Sequence, residues 1–150
     1  MAQTFAASIR DFADRTKEAM EDVLRSSVED VMAVASASQE SAKTRSGPAQ
    51  QGLVPVDTGY LRATIAADLN GSGDFPLDAR TEYALTIQEM KAGDYLRIAW
   101  TAPYAQRINS GFVGMDSLGR EYNQTGVHWV ERAAGDWSEI VRQNAEYLKP

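Results

Sequence analysis

The stretch 83–100, YALTIQEMKAGDYLRIAW, decides the fold class. Tyr83, Leu85 and Ile87 alternate with Ala84, Thr86 and Gln88, and Leu96, Ile98 and Trp100 alternate with Arg97 and Ala99. A period of two puts each set on one face of an extended segment. Lys91-Ala92-Gly93-Asp94 between them is a turn-forming tetrapeptide. The spacing therefore predicts an antiparallel hairpin over residues 82–101, with Leu85, Ile87, Leu96, Ile98 and Trp100 buried. Upstream, Leu61, Ala63, Ile65, Ala67 and Leu69 also alternate, although Leu61 and Ile65 share a helical face as well. This reads as a short turn running into a strand that flanks the hairpin, stopped by the Asn70-Gly71-Ser72-Gly73-Asp74 break.

On either side the period becomes helical. Phe5, Ile9, Phe12, Met20, Val23, Leu24, Val28, Val31, Val34 and Ala35 recur at spacings of three and four, which predicts one long helix over residues 1–43. Asp11 with Arg15 and Glu21 with Arg25 support it in the favourable acid-first order. A helix of that length overhangs a small domain, so an intermolecular role stands beside core packing. A polar connector follows over residues 44–59, its bias beginning at 39, with Pro48, Pro55, Gly47, Gly52 and Gly59. After the hairpin, Pro103 opens a short helix over 104–109 that Gly111 ends. Residues 111–126, GFVGMDSLGREYNQTG, contain four glycines and no evident period, and are expected to form a long loop. A last helix is expected over 127–147, with Val130, Ala133, Ala134, Trp137, Ile140, Val141 and Leu148 along one side. Helix, antiparallel sheet, helix is a single α+β domain over 1–150.

With 150 residues, 43% hydrophobic and 24% charged, the chain has the composition of a globular domain able to bury a core without staples. It has no cysteine, which excludes a disulfide scaffold, a cysteine nucleophile and a thiolate metal site. His128 stands alone, so a two-histidine metal site is excluded too. Neither a metal nor another cofactor is expected. Net charge is −6, with 8 acidic and 6 basic residues over 1–50 and 13 and 9 over 51–150. No basic block is available to neutralise phosphates, so tight nucleic-acid binding is not expected, whereas a surface that DNA slides past is compatible with the charge. No apolar run is long enough for a signal peptide or membrane span, and a protein made in and kept by a cytoplasm is expected unless a larger assembly carries it out.

Asp57-Thr58-Gly59 is the sharpest catalytic string, matching the motif of aspartic proteases, in which two aspartates share one proton. A chain with one copy would have to work as a homodimer. Pro55 before it and bulky Tyr60 after it do not suit such a site, and the other reading is an Asx or ST turn with Gly59 at positive φ. Asn70-Gly71-Ser72 and Asn123-Gln124-Thr125 fit a glycosylation pattern that has no meaning without secretion. Phosphate-binding glycine loops are absent, and His128 has no serine or cysteine elbow to serve. The chain is not expected to be an enzyme.

The string Val54-Pro55-Val56-Asp57-Thr58-Gly59-Tyr60-Leu61-Arg62-Ala63-Thr64-Ile65 resembles the signature of a family of tailed-phage structural proteins. These are the neck or tail-completion proteins of long-tailed phages, similar to the lambda tail-completion protein Z. Tyr104-Ala105-Gln106-Arg107-Ile108-Asn109-Ser110-Gly111 fits a later block, and His128-Trp129-Val130-Glu131-Arg132-Ala133 the last. Asn109 stands where the family pattern has glutamate, and Thr64 where it has serine. The resemblance implies a virion protein of the neck that forms a ring, usually six-fold, at the head–tail junction. The implied partners are further copies of the chain, the stopper or head-completion protein, the tail terminator or tail tube, and the end of the tape measure; DNA would pass through the lumen without specific binding. The motif residues implied are Asp57, Thr58, Gly59, Leu61, Arg62, Tyr104, Ala105 and Gly111. Contact arms are expected in 111–126, through Phe112, Val113, Met115, Leu118 and Tyr122, and in the connector 39–56. A tail terminator or head-closure protein, a homodimeric aspartic protease and a dimeric module built on the long helix are the alternatives.

Overall fold

A computed structural model of the chain describes residues 4–149. It is α+β, as the order of periods predicts. Helix α1 spans Phe5–Ala35, and the Thr4 hydroxyl caps it by accepting from the Ala7 N–H at 3.2 Å. The helix stops well short of residue 43, and the expectation for residues 1–3 lies outside the described residues. Ser36 and Ser38 are poor helix formers that bond locally, and the chain turns extended there. Strand β1 (Ser38–Glu40) pairs in parallel with β2 (Val54–Val56). The connector is thus a closed loop. The Gln39 amide donates to the carbonyls of Gln50 at 2.8 Å and Leu53 at 2.7 Å, and its oxygen accepts from Gln50 N–H at 2.8 Å.

Helix α2 (Tyr60–Ala63) leads into β3 (Ile65–Leu69), the turn and strand expected from the sequence. The predicted hairpin over 82–101 does not form. Residues Tyr83–Glu89 are a helix, α3, and β4 (Leu96–Trp100) pairs antiparallel with β3, Ile65 opposite Trp100 and Leu69 opposite Leu96. Tyr83, Ile87 and Met90 lie on the inner side of α3, while Leu85 is 64% exposed, not buried. Arg25 of α1 donates to the Met90 carbonyl at 2.8 Å and fixes the end of α3 on α1. Leu96, Ile98 and Trp100 are half-buried.

Helix α4 (Ala105–Ser110) precedes a second correction. The expected loop over 111–126 is a hairpin, with β5 (Gly111–Met115) antiparallel to β6 (Glu121–Thr125). Helix α5 (Trp129–Tyr147) completes the chain. Among the described residues the single expected sheet is therefore three separate two-stranded sheets.

Two apolar clusters form the core. Val28, Met32, Ile65, Ile87 and Met90 join α1, α3 and β3. Ala35, Val54, Leu61, Ala102, Ala105, Val127, Trp129 and Ala133 join the end of α1, the connector and the start of α5. Trp100 bridges them, with its ring edge-on to that of Trp129 at 5.9 Å. From this second cluster α5 runs back along α1, so that Leu148 shares a groove with Thr16 and Met20. No described helix is long and apolar enough to cross a membrane.

Candidate assembly interface

Asp57-Thr58-Gly59 starts α2. Gly59 is its N-cap at φ +83°, a conformation glycine adopts without steric cost. Its carbonyl accepts from Ala63 at 3.0 Å, and the Thr58 hydroxyl accepts from Tyr60 N–H at 3.4 Å. The turn drives Leu61 into the core while Arg62 stays in solvent. Thr64, fully buried, donates its hydroxyl to the Tyr60 carbonyl at 2.8 Å, and its own carbonyl accepts from Thr101 N–H at 2.8 Å. The motif thus sets the register of β3 against β4. Asp57 itself is exposed and ion-paired to Lys43 at 2.5 Å, and hydrogen bonding to this carboxylate raises the lysine pKa above its usual value. Among the described residues no cluster of three or more acidic or histidine side chains is arranged to hold a metal.

Beside the turn, the Tyr60 hydroxyl bonds to Asp78 and the Arg80 guanidinium lies 5.4 Å from the Tyr60 ring centre. Bonding to the Asp78 carboxylate raises the Tyr60 pKa. The Tyr104 ring is 6.3 Å from that of Tyr60, and both line a cleft of about 650 Å³ between the connector and β6, along with Asp57, Lys43, Tyr122 and Gln124. The first motif block and the hairpin, distant in sequence, share this cleft.

The second and third blocks are stitched together. Val127 and His128 N–H groups donate to the Ile108 and Asn109 carbonyls at 3.0 and 2.9 Å. Asn109, buried, accepts from Val130 N–H at 3.2 Å, satisfying a free donor of the first turn of α5, and gives its amide to both Glu131 oxygens at 3.0 and 2.9 Å. His128 sits at φ +52° and supplies no side-chain cap, so Asn109 does this from outside the helix. Burial pushes Glu131 upward, but its own backbone N–H, Asn109 and His128 outweigh that and hold it below the usual carboxylate range. Ala105 is buried beneath this junction. Gly126 is required there because a Cβ would lie 2.4 Å from the Asn109 carbonyl oxygen.

The hairpin β5–β6 carries the five side chains expected at an interface, and they divide between its faces. Phe112 and Tyr122 face each other with rings 5.9 Å apart, and Arg107 covers Phe112 at 4.1 Å. Val113 (78%), Met115 (65%) and Leu118 (76%) are exposed. The tip is built on Asp116, whose carboxylate accepts from Leu118 and Arg120 N–H groups at 2.9 and 3.0 Å, from Arg120 Nε at 2.6 Å and from the Tyr122 hydroxyl at 3.2 Å. Bonding from the Arg120 backbone, against the opposing effect of burial, holds its pKa below the usual range. Sequence reasoning missed this order, yet Asp116-Ser117-Leu118-Gly119 is the signal: aspartate opens the turn and glycine closes it at φ +76°.

Four of the ten side chains expected along the apolar stripe of α1 are exposed instead. Phe5, Ile9, Phe12 and Met20 are solvent-exposed, and only from Ser27 onward does α1 bury side chains fully. No protein-family model, curated protein or solved structure matches the chain.

Proposed function

We propose that this protein is a non-catalytic structural subunit of a phage neck, assembling as a ring at the head–tail junction between the stopper and the tail terminator or tube. The observation that carries the reading is the hairpin β5–β6. Its tip is organised by Asp116, yet it holds Val113, Met115 and Leu118 in solvent, an arrangement that suits a surface another subunit covers. The sequence resemblance supplies the particle, and its three blocks converge on the turn, cleft and α4–α5 junction that carry this hairpin. The ion pair of Asp57 with Lys43 favours an architectural motif over a protease dyad, in which a second carboxylate would stand in the place of the cation. A net charge of −6 suits a lumen through which DNA moves without sticking.

The test is to image intact particles by cryo-electron microscopy and to fit this chain into the neck density. Density for a ring of this chain at the head–tail junction is expected. Particles whose neck lacks the chain, or normal head–tail joining after its gene is deleted, would refute the proposal.

A further inference from the structure

Some strands of this chain have closed outer edges and others do not. β3 is closed: the Ile65 carbonyl, which points away from β4, accepts from Thr81 N–H at 2.8 Å. β1 and β2 are three residues each, and Pro55 at the centre of β2 has no N–H; shortness and proline both blunt an edge. β4 has neither protection. Thr101 N–H donates to the Thr64 carbonyl and Asn70 N–H to the Tyr95 carbonyl, each at an end of the β3–β4 ladder. The alternation of an antiparallel pair then turns the N–H and C=O groups of Leu96, Ile98 and Trp100 away from β3. Among the described residues these groups have no hydrogen-bond partner. All five residues of β4 line a groove of about 730 Å³, together with Phe75, Leu77 and Pro103. Consecutive residues line a groove at a strand's edge, whereas a face presents only alternate ones.

β5 is a second open edge. Asp116 N–H donates to the Arg120 carbonyl at 3.0 Å, and from there the same alternation points Gly111, Val113 and Met115 away from β6. The Gly111 N–H on that side is taken by the Arg107 carbonyl, while those of Val113 and Met115 are free. The outer edge of β6 is different, because it lies in the cleft that Ser41, Lys43 and Arg45 of the connector already wall.

We infer that β5 of one copy of this chain adds as an antiparallel strand to the open edge of β4 in the next copy, with Val113 opposite Ile98. This rests on the ring reading above and names its contact. The two strands are five residues each, so Met115 falls opposite Leu96 and Gly111 opposite Trp100. About five main-chain hydrogen bonds form in that register, since only the Gly111 N–H is already used. The side chains agree on both faces. Val113 and Met115, exposed in the single chain, extend the apolar row of Ile98 and Leu96 that packs on the α1–α3 cluster. On the large-against-small pairs, Gly111 leaves room for Trp100, Gly114 for Arg97, and Ala99 for Phe112. Charge permits it as well, because β5 carries none and Arg97 is held by Asp68 at 2.5 Å. Other segments fit the edge less well. β6 in the same place sets Asn123 against Ile98 and Glu121 against Trp100, a carboxylate beside an apolar row. The exposed start of α1 is a helix whose main-chain groups are bonded internally. Two β4 edges paired with each other close a dimer and leave Val113 and Met115 bare, whereas β5 on β4 is head to tail and propagates around a ring.

The chain has no cysteine, so thiols can be placed singly. Ile98→Cys and Val113→Cys chains are mixed and oxidised; residues opposite each other in such a pair have Cα atoms about 5.5 Å apart, within disulfide reach. Hetero-linked chains are expected. Predominant linkage of Ile98→Cys to itself, or to Asn123→Cys in a parallel mixture, would overturn the inference. A second measurement needs no substitution. Amide exchange is followed in the parent as a dilute single chain and as the assembly, and the Leu96, Ile98, Trp100, Val113 and Met115 amides should slow at least tenfold on assembly. Equal rates in an assembled parent would overturn the edge contact and leave the ring reading standing. Val113→Pro removes a donor from the outer edge and spares the β5–β6 ladder. Its circular dichroism should match the parent's while sedimentation velocity shows assembly weakened at least tenfold, and assembly as tight as the parent's would count against the contact. A parent that stays monomeric at every concentration, with no hetero-linkage, would overturn the edge contact; absence of the chain from neck density is the separate result that removes the ring reading.

Discussion

Replacing Ile87 and Leu85 one at a time separates helix from strand at the place where the two readings diverge. On a strand both would point to the same face and cost the same; on α3 they point apart. Ile87 is 0% exposed and packed among Val28, Met32, Ile65 and Met90. Ile87→Ala removes three buried carbons, about 2.4 kcal/mol at ~0.8 kcal/mol each. Every 50 Å³ of cavity left unfilled adds about 1.2 kcal/mol at ~24 cal/mol per Å³. The expected loss is thus roughly 2.5–3.5 kcal/mol, which in a domain of this size lowers Tm by roughly 5–14 °C. Leu85→Ala removes the same three carbons from a mostly exposed site, and alanine is the better helix former, so its cost stays under about 1 kcal/mol. Urea titrations followed by tryptophan fluorescence and far-ultraviolet circular dichroism give both numbers, with unchanged m-values as the check that the unfolded state is comparable. Equal destabilisation by the two substitutions would refute the helical assignment and the packing derived from it.

Asn109→Glu sets a second carboxylate against Glu131; it should cost about 1–3 kcal/mol at neutral pH, and Glu131→Gln should recover most of that in a double-mutant cycle. Gly126→Ala drives a Cβ into backbone at 2.4 Å and should disrupt the α4–α5 junction, whereas Gly59→Ala meets nothing within 4 Å and should cost only the strain of positive φ, about 1 kcal/mol; thermal melts of the two rank them. Asp116 is held below the usual carboxylate range, so its anion favours the folded hairpin; that support is fully present above about pH 4 and is lost as the pH falls through its lowered pKa. Amide exchange across 116–122 should accelerate only in that acid range, and Asp116→Asn should abolish the acid dependence. Asp57→Asn keeps the turn and should leave both the melting midpoint and particle assembly unchanged; loss of cleavage of a virion protein in that variant would instead favour the protease reading.

The helical stripe of α1, the strand character of 65–69 and 96–100, the short helix after Pro103 and the final helix were legible because each follows one period over enough residues, or carries a proline or glycine at its end. So was the turn at Asp57-Thr58-Gly59, whose residue types dictate a positive φ and local hydrogen bonds whatever surrounds them. The hairpin over 111–126 was encoded in its Asp116–Gly119 turn but hidden by glycines that blur alternation. Other features belong to tertiary structure. Tyr83–Glu89 satisfies both periods over seven residues, and the choice falls to α1, whose Val28 and Met32 offer a face that Ile87 and Met90 reach together only as a helix. That choice in turn leaves β4 to pair with β3. The stripe of α1 reads the same from Phe5 to Ala35, because periodicity records which side chains are apolar and not what covers them. Which part is core and which is a bare arm depends on where α3 and α5 pack against the helix, and that is decided only by contacts between residues far apart in the chain.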